Sequence, residues 1–260
     1  MKNVIVPLNA FDRVEVLEIG QAAYVELIAK AGAYGVEIRR ELLSAEHHQL
    51  DNIKRTIEQF DLFTVYSAPI ECWKENHQLN AEELNILFLE AKALGAKWVK
   101  VSLGHFQKGK SNMVDLAAFL KEQPDILLLV ENDQTAHGGN VERLRAFFES
   151  VVDRALPIKM TFDAGNWYYT GEDVVVALNI LAPYVIYLHL KQVEVHGGEL
   201  VTVPLQNVGN HSWKQVMSRL PNDIVKALEF PIVPNEMTKD YIEMINEMSK
   251  EREALAICNS

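Results

Sequence analysis

Short apolar runs recur along this chain at nearly regular intervals, and between them the apolar positions change to helical spacing. Val4–Leu8 reads as a first strand and Asn9–Arg13 as a loop. Glu18–Ala31 reads as a helix with Ile19, Ala22, Ala23 and Leu27 on one face. Strand and helix then alternate: Gly35–Arg39, helix His47–Phe60, Phe63–Ser67, a longer loop Ala68–Leu79, and a helix capped by Asn80 and running to Leu94. Trp98–Ser102, helix Asn112–Glu122, Ile126–Glu131, loop Asp133–Gly139, helix Asn140–Val152, Ile158–Asp163, helix Asp173–Leu181 and Val185–Leu190 continue the series. Val193–Val203 alternates around Gly197-Gly198 like a hairpin. Ser212–Leu220, strand Val225–Glu229 and the amphipathic helix Thr238–Ala254 close the chain.

Strands therefore begin near residues 4, 35, 63, 98, 126, 158, 185 and 225, at intervals of 31, 28, 35, 28, 32, 27 and 40 residues. Eight such units predict a closed (β/α)8 TIM barrel formed as a single domain over residues 1–260. A doubly wound open sheet would bring a glycine fingerprint after its first strand, where this chain has Pro7-Leu8-Asn9-Ala10-Phe11.

The chemistry collects at the strand ends. ILLLVEN ends in Glu131, IKMTFDAGNW delivers Asp163, VIYLHLK carries His189, and VKALEF delivers Glu229. These groups end the fifth to eighth strands, and a barrel gathers such ends at one mouth. Charges in buried strands are costly unless paired or bound to a metal. Three carboxylates and an imidazole favour one divalent ion, Mn2+ or Mg2+, with Zn2+ also admitted. A metal held there would polarise the carbonyl of a hydroxy-carbonyl compound, and a flanking glutamate could take the adjacent proton. Glu131 and Glu229 flank the cluster and are the candidate acid/base pair.

Other residues are candidate substrate contacts. Lys191 projects to the same side as His189, or is a solvated loop lysine. Lys100, inside the fourth strand, is read first as an ion-pair partner of an acid such as Glu37, and second as a substrate contact. His105 and His77 lie in loops at the functional end, where an ordinary surface histidine is the plainer reading. Trp73 and Trp167 either wall a sugar-like ligand or pack their loops.

Composition narrows the partners. A net charge of −11, from 36 acidic and 25 basic residues, disfavours a grip on phosphate backbones. The two cysteines, Cys72 and Cys258, have no metal-ribbon spacing and point to a reducing compartment. Neither a signal peptide nor a membrane span is evident, so a cytoplasmic protein is expected. The expected partner is a small sugar-like molecule rather than nucleic acid or membrane; a homo-oligomer is left open. The absence of a phosphate-cradling glycine loop leans toward an unphosphorylated substrate.

VEN at 130–132, FDAGN at 162–166, HLK at 189–191 and LEF at 228–230 resemble the xylose isomerase-like TIM-barrel superfamily. That group holds sugar phosphate isomerases/epimerases, hydroxypyruvate isomerases, ketose 3-epimerases, inosose dehydratases and endonuclease IV (AP endonuclease family 2). The resemblance implies that Glu131, Asp163, His189 and Glu229 ligate one divalent ion and that Glu131 and Glu229 double as acid and base. Epimerase relatives often read Asp-x-x-His, with the histidine on substrate. Here the position is Asn166, which can hydrogen-bond a hydroxyl but cannot carry a proton. A dehydratase of a cyclic polyol ketone is the alternative on the same scaffold. Lower stand a non-catalytic sugar-binding protein and an endonuclease-like enzyme, the latter disfavoured by Ser67 and Asn166 where two metal-binding histidines would be expected.

Overall fold

The computed structural model describes residues 3–43, 49–209 and 211–258. Eight parallel strands close into a barrel: β1 (Val4–Pro7), β2 (Gly35–Arg39), β3 (Phe63–Trp73), β4 (Trp98–Gly104), β5 (Leu127–Glu131), β6 (Ile158–Asp163), β7 (Val185–Leu190) and β10 (Val225–Leu228). β8 (Gln192–His196) and β9 (Glu199–Val203) form the antiparallel hairpin that the alternation around Gly197-Gly198 predicts. This is a (β/α)8 TIM barrel.

The helices are α1 (Arg13–Ile19), α2 (Gln21–Lys30), α3 (Gln49–Phe60), α4 (Ala81–Leu94), α5 (Met113–Lys121), α6 (Val141–Asp153), α7 (Asn166–Thr170), α8 (Val174–Leu181), α9 (Ser212–Arg219) and α10 (Thr238–Cys258). Four expectations are corrected. The first helix starts earlier, at Arg13, because the Asp12 carboxylate accepts from the amides of Val14 and Glu15; Gly20 then divides it into α1 and α2. Asn80 sits at the predicted cap position of α4, but its side-chain amide donates to the carbonyl of Glu71 and caps nothing. α7 has no counterpart in the sequence pattern; Asp163 Oδ1 nucleates it by accepting from the amides of Gly165 and Asn166. The third strand runs on through Ile70 to Trp73, past a register shift between Ser67 and Glu71, in what reads as a loop because Pro69 interrupts it. The predicted start of the third helix at His47 lies outside the described residues.

Strand alternation and the barrel register explain where the charge goes. Successive inward positions read Leu127-Leu129-Glu131, Tyr187-His189-Lys191 and Val225-Ala227-Glu229, climbing from apolar to polar toward the C-terminal end. Ile5, Val65, Leu129, Tyr187 and Ala227 pack as an interior apolar plug, closed below by Tyr34, Phe63 and Trp98. Phe63 stacks on Tyr34 at 5.3 Å and meets Trp98 edge-on at 4.7 Å. A second, larger core lies between barrel and helices, where Ile242 and Ile245 of α10 are buried as its spacing predicts. The plug excludes water from below, so charged groups above it open in one direction only, toward the βα loops. Among the described residues no helix is long and apolar enough to cross a membrane.

Candidate functional site

Glu131 ends β5, Asp163 ends β6, His189 lies in β7 and Glu229 follows β10 directly, its amide extending the ladder to the Leu190 carbonyl. The barrel brings all four together: one donor atom from each lies within 4.8 Å of the others. His189 is the hub. Its Nδ1 is 3.1 Å from Glu131 and 3.0 Å from Glu229, and its Nε2 is 3.0 Å from Glu37.

Glu37, on β2, is fully buried and receives the Tyr187 hydroxyl at 2.8 Å, Arg39 at 2.9 Å and Lys100 at 3.1 Å. Burial opposes its charge, yet Lys100, His189 and Arg39 hold the carboxyl far below the usual carboxylate range. A carboxylate fixed in this way orients the ring, leaving Nδ1 to face the mouth. Burial and Lys100 disfavour a charged imidazole, but Glu229, Glu37 and Glu131 outweigh them and push His189 up to about 9.

Two lysines complete the ring of charge. Lys100 Nζ reaches both oxygens of Glu131, at 2.8 and 2.9 Å, so it is an ion-pair partner of Glu131 and of Glu37. Lys191 Nζ lies 2.7 Å from Asp163 and 2.8 Å from Glu229. Of the two readings for Lys191, the solvated loop lysine is excluded: the side chain is buried. Burial disfavours charge on Glu229, but Lys191, His189 and Lys100 hold it well below the usual range. Asp163 is pushed up to about 7 by burial, against the pull of Lys191 and helped by repulsion from Glu229.

The donor set fits a divalent cation. Imidazole Nδ1 and three carboxylate oxygens converge, and the Glu37 carboxylate behind Nε2 supplies the backing group that metal-bound histidines use. Thr161 Oγ1, which shares its register position with Glu131, is buried without a hydrogen-bond partner. Lys191 holds two of the four donors, so a cation engaging Asp163 and Glu229 competes with its ammonium.

Gly165 makes room for that lysine. A Cβ there would stand 2.6 Å from both Cγ and Cδ of Lys191. Gly165→Ala is expected to cost about 1–3 kcal/mol by overpacking and to push Lys191 off Asp163. Urea unfolding reads the cost, and an unchanged midpoint would show that the lysine relaxes freely.

Asn166 is buried, its amide donating to the Asn132 carbonyl at 2.9 Å and its oxygen accepting from Gln134 and Lys191 at 3.0 and 3.2 Å; the side chain braces the loops. Trp73 and Trp167 take the packing alternative. Both are fully buried, Trp73 against Phe106 and Trp167 against Phe162, because β3 and α7 are regular elements at positions that read as loops. His105 stands on the rim beside Glu71 and His137, and His77 Nδ1 contacts its carbonyl at 2.8 Å.

Sequence reasoning does not single out Tyr187, Asn9 or His137. Asn9 donates to Glu229 at 3.0 Å from the turn after β1. Glu37 and Arg39 share one face of their strand, and that alternation is the signal that both reach the site.

No family model matches the chain, and no curated protein sequence matches it. Solved structures do. The probable 3-DHS dehydratase AsbF of Bacillus anthracis superposes with a TM-score of 0.67 at 14% identity, over 95% of this chain and 99% of that one. Endonuclease IV from Thermus thermophilus gives 0.64 at 19% identity, over 96% and 99%. An L-ribulose 3-epimerase gives 0.65 at 14% identity, over 98% of each chain. These likenesses show the xylose isomerase-like TIM-barrel fold, on which several chemistries are built.

Proposed function

We propose that this chain is a divalent-cation-dependent isomerase or epimerase of a small sugar or hydroxy-keto compound. One observation carries the reading: Glu131 and Glu229 face Nδ1 of His189 at 3.1 and 3.0 Å from strands on its two sides, with Asp163 completing the set. Three carboxylates and one imidazole suit Mn2+ or Mg2+, with Zn2+ tolerated. When bound, such an ion would polarise a carbonyl held by adjacent oxygens and acidify the neighbouring C–H.

The rest falls to the protein. One glutamate takes the proton and the other returns it. Return to the opposite face of the same carbon is epimerisation; return to the neighbouring carbon is isomerisation. Glu229 is held ionised by Lys191 and His189, the form that accepts a proton. Lys100 fixes Glu131 by both oxygens. Lys191 pairs with Asp163 and Glu229 and, were a cation to take its place there, would be a donor for a substrate oxygen. The buried plug below restricts the substrate to the open mouth.

A dehydratase is the second reading, favoured by the likeness to AsbF. It shares the proton abstraction but expels water, so a product lighter by one water separates the two. A nucleic-acid substrate is disfavoured by the net charge of −11 and by Ser67 and Asn166.

Metal analysis of purified protein beside Asp163→Ala, followed by a ketose and keto-acid screen, tests the proposal. EDTA is expected to remove activity and Mn2+ to restore it best. Full turnover by metal-free protein would overturn the cation-dependent reading.

A further inference from the structure

Outside the site just described, three other side chains converge on the same rim. Glu71 lies near the tip of β3, His105 directly follows β4, and His137 sits in the loop between β5 and α6. A donor atom from each lies within 4.8 Å of the others. His137 Nε2 is 2.7 Å from one oxygen of Glu71, and His105 Nε2 is 3.7 Å from the other. The two imidazoles stack with centroids 3.7 Å apart and planes 22° from parallel, so both present the same nitrogen edge to one carboxylate.

The chain spends backbone geometry on this convergence. Gly104 has φ +68°, and a Cβ there would stand 2.4 Å from the Trp73 carbonyl and 2.6 Å from Glu71 Cβ. Only glycine lets the tips of β3 and β4 close, and that closure sets His105 beside Glu71. The His105 amide donates to the Trp73 carbonyl at 2.9 Å, and His77 Nδ1 meets the His105 carbonyl. The Asn80 amide holds the Glu71 carbonyl.

We infer that Glu71, His105 and His137 form a second, separate site for a borderline divalent ion of the Zn2+ class. Two imidazoles and one carboxylate match the three-ligand zinc set that leaves a coordination position open. All three side chains are about one-quarter to one-third exposed, so that position faces solvent and can take an exchangeable water or an oxygen of a bound molecule. Glu71 pairs in register with Ser102, and Ser102 pairs with Glu131. Two strand spacings separate the Glu71 and Glu131 backbones by on the order of 10 Å, and the two clusters share no ligand. The rim site is therefore independent of the central cluster and of the function proposed for it.

The experiment is zinc stoichiometry on untagged full-length protein, by calorimetric titration and by metal analysis after desalting. Wild type is compared with His105→Ala/His137→Ala and with Asp163→Ala/Lys191→Met, which removes a central donor together with its counter-ion. The histidine pair is partly exposed, so its removal leaves the fold intact. The expected result is loss of one zinc equivalent in the double-histidine variant and retention of that equivalent in the central-site variant. Co2+ substitution should give a visible absorption band that vanishes with the histidines. Equal zinc stoichiometry in wild type and the double-histidine variant, or a cobalt spectrum indifferent to them, overturns the inference.

Discussion

Glu229→Gln is expected to lower turnover about 10²–10⁴-fold while leaving the fold intact, the range by which a positioned acid or base accelerates a reaction. Glutamine preserves the shape. Its oxygen can still accept from Asn9, which donates to Glu229 at 3.0 Å, and Lys191 keeps Asp163 at 2.7 Å. The loss is specific: a carboxylate held ionised beside Lys191 and His189 becomes an amide that cannot accept a proton. The measurement is exchange of solvent deuterium into the substrate carbon next to the carbonyl, followed by NMR beside net conversion. Exchange and net conversion both at the wild-type rate in the variant would remove Glu229 from the mechanism. If net conversion is lost but exchange persists, Glu131 is the group that takes the proton and Glu229 the one that returns it.

The contrast between Glu229 and its neighbours shows what is legible in the sequence. Glu131, Asp163, His189 and Glu229 can be read because each interrupts an otherwise apolar run at a strand's end, and a barrel has only one place to put such ends. The same logic fails for Lys191. Nothing local distinguishes a lysine after a strand that stays in solvent from one that turns inward between two acids; Gly165, on another strand's loop, decides it. Trp73 and Trp167 look like loop residues because Pro69 and Gly165 interrupt the local pattern. Their burial comes from the extension of β3 past its register shift and from α7 growing on the Asp163 carboxylate. His137 carries no signal at all, since its partners Glu71 and His105 come from other strands.

Lys100→Met tests how far the site depends on charge balance. Lys100 is buried inside the barrel, bound to both oxygens of Glu131 and 3.1 Å from Glu37. Methionine fills much of the same space but supplies no charge, so the cost is electrostatic rather than a cavity. Breaking a buried pair by removing one partner costs about 3–5 kcal/mol, which for a chain of this size is a fall in Tm on the order of 10 °C. Glu37 retains Arg39, the Tyr187 hydroxyl and His189, so the orphaned charge is mainly that of Glu131, which among the described residues keeps its approach to His189 at 3.1 Å. Lys100→Met/Glu131→Gln should therefore recover part of the lost stability, and the double-mutant cycle isolates the pair. Unfolding of Lys100→Met at the wild-type temperature would show that Glu131 reaches solvent or another cation once released. Recovery by Glu37→Gln in place of Glu131→Gln would move the principal partner of Lys100 from the mouth of the barrel to its interior.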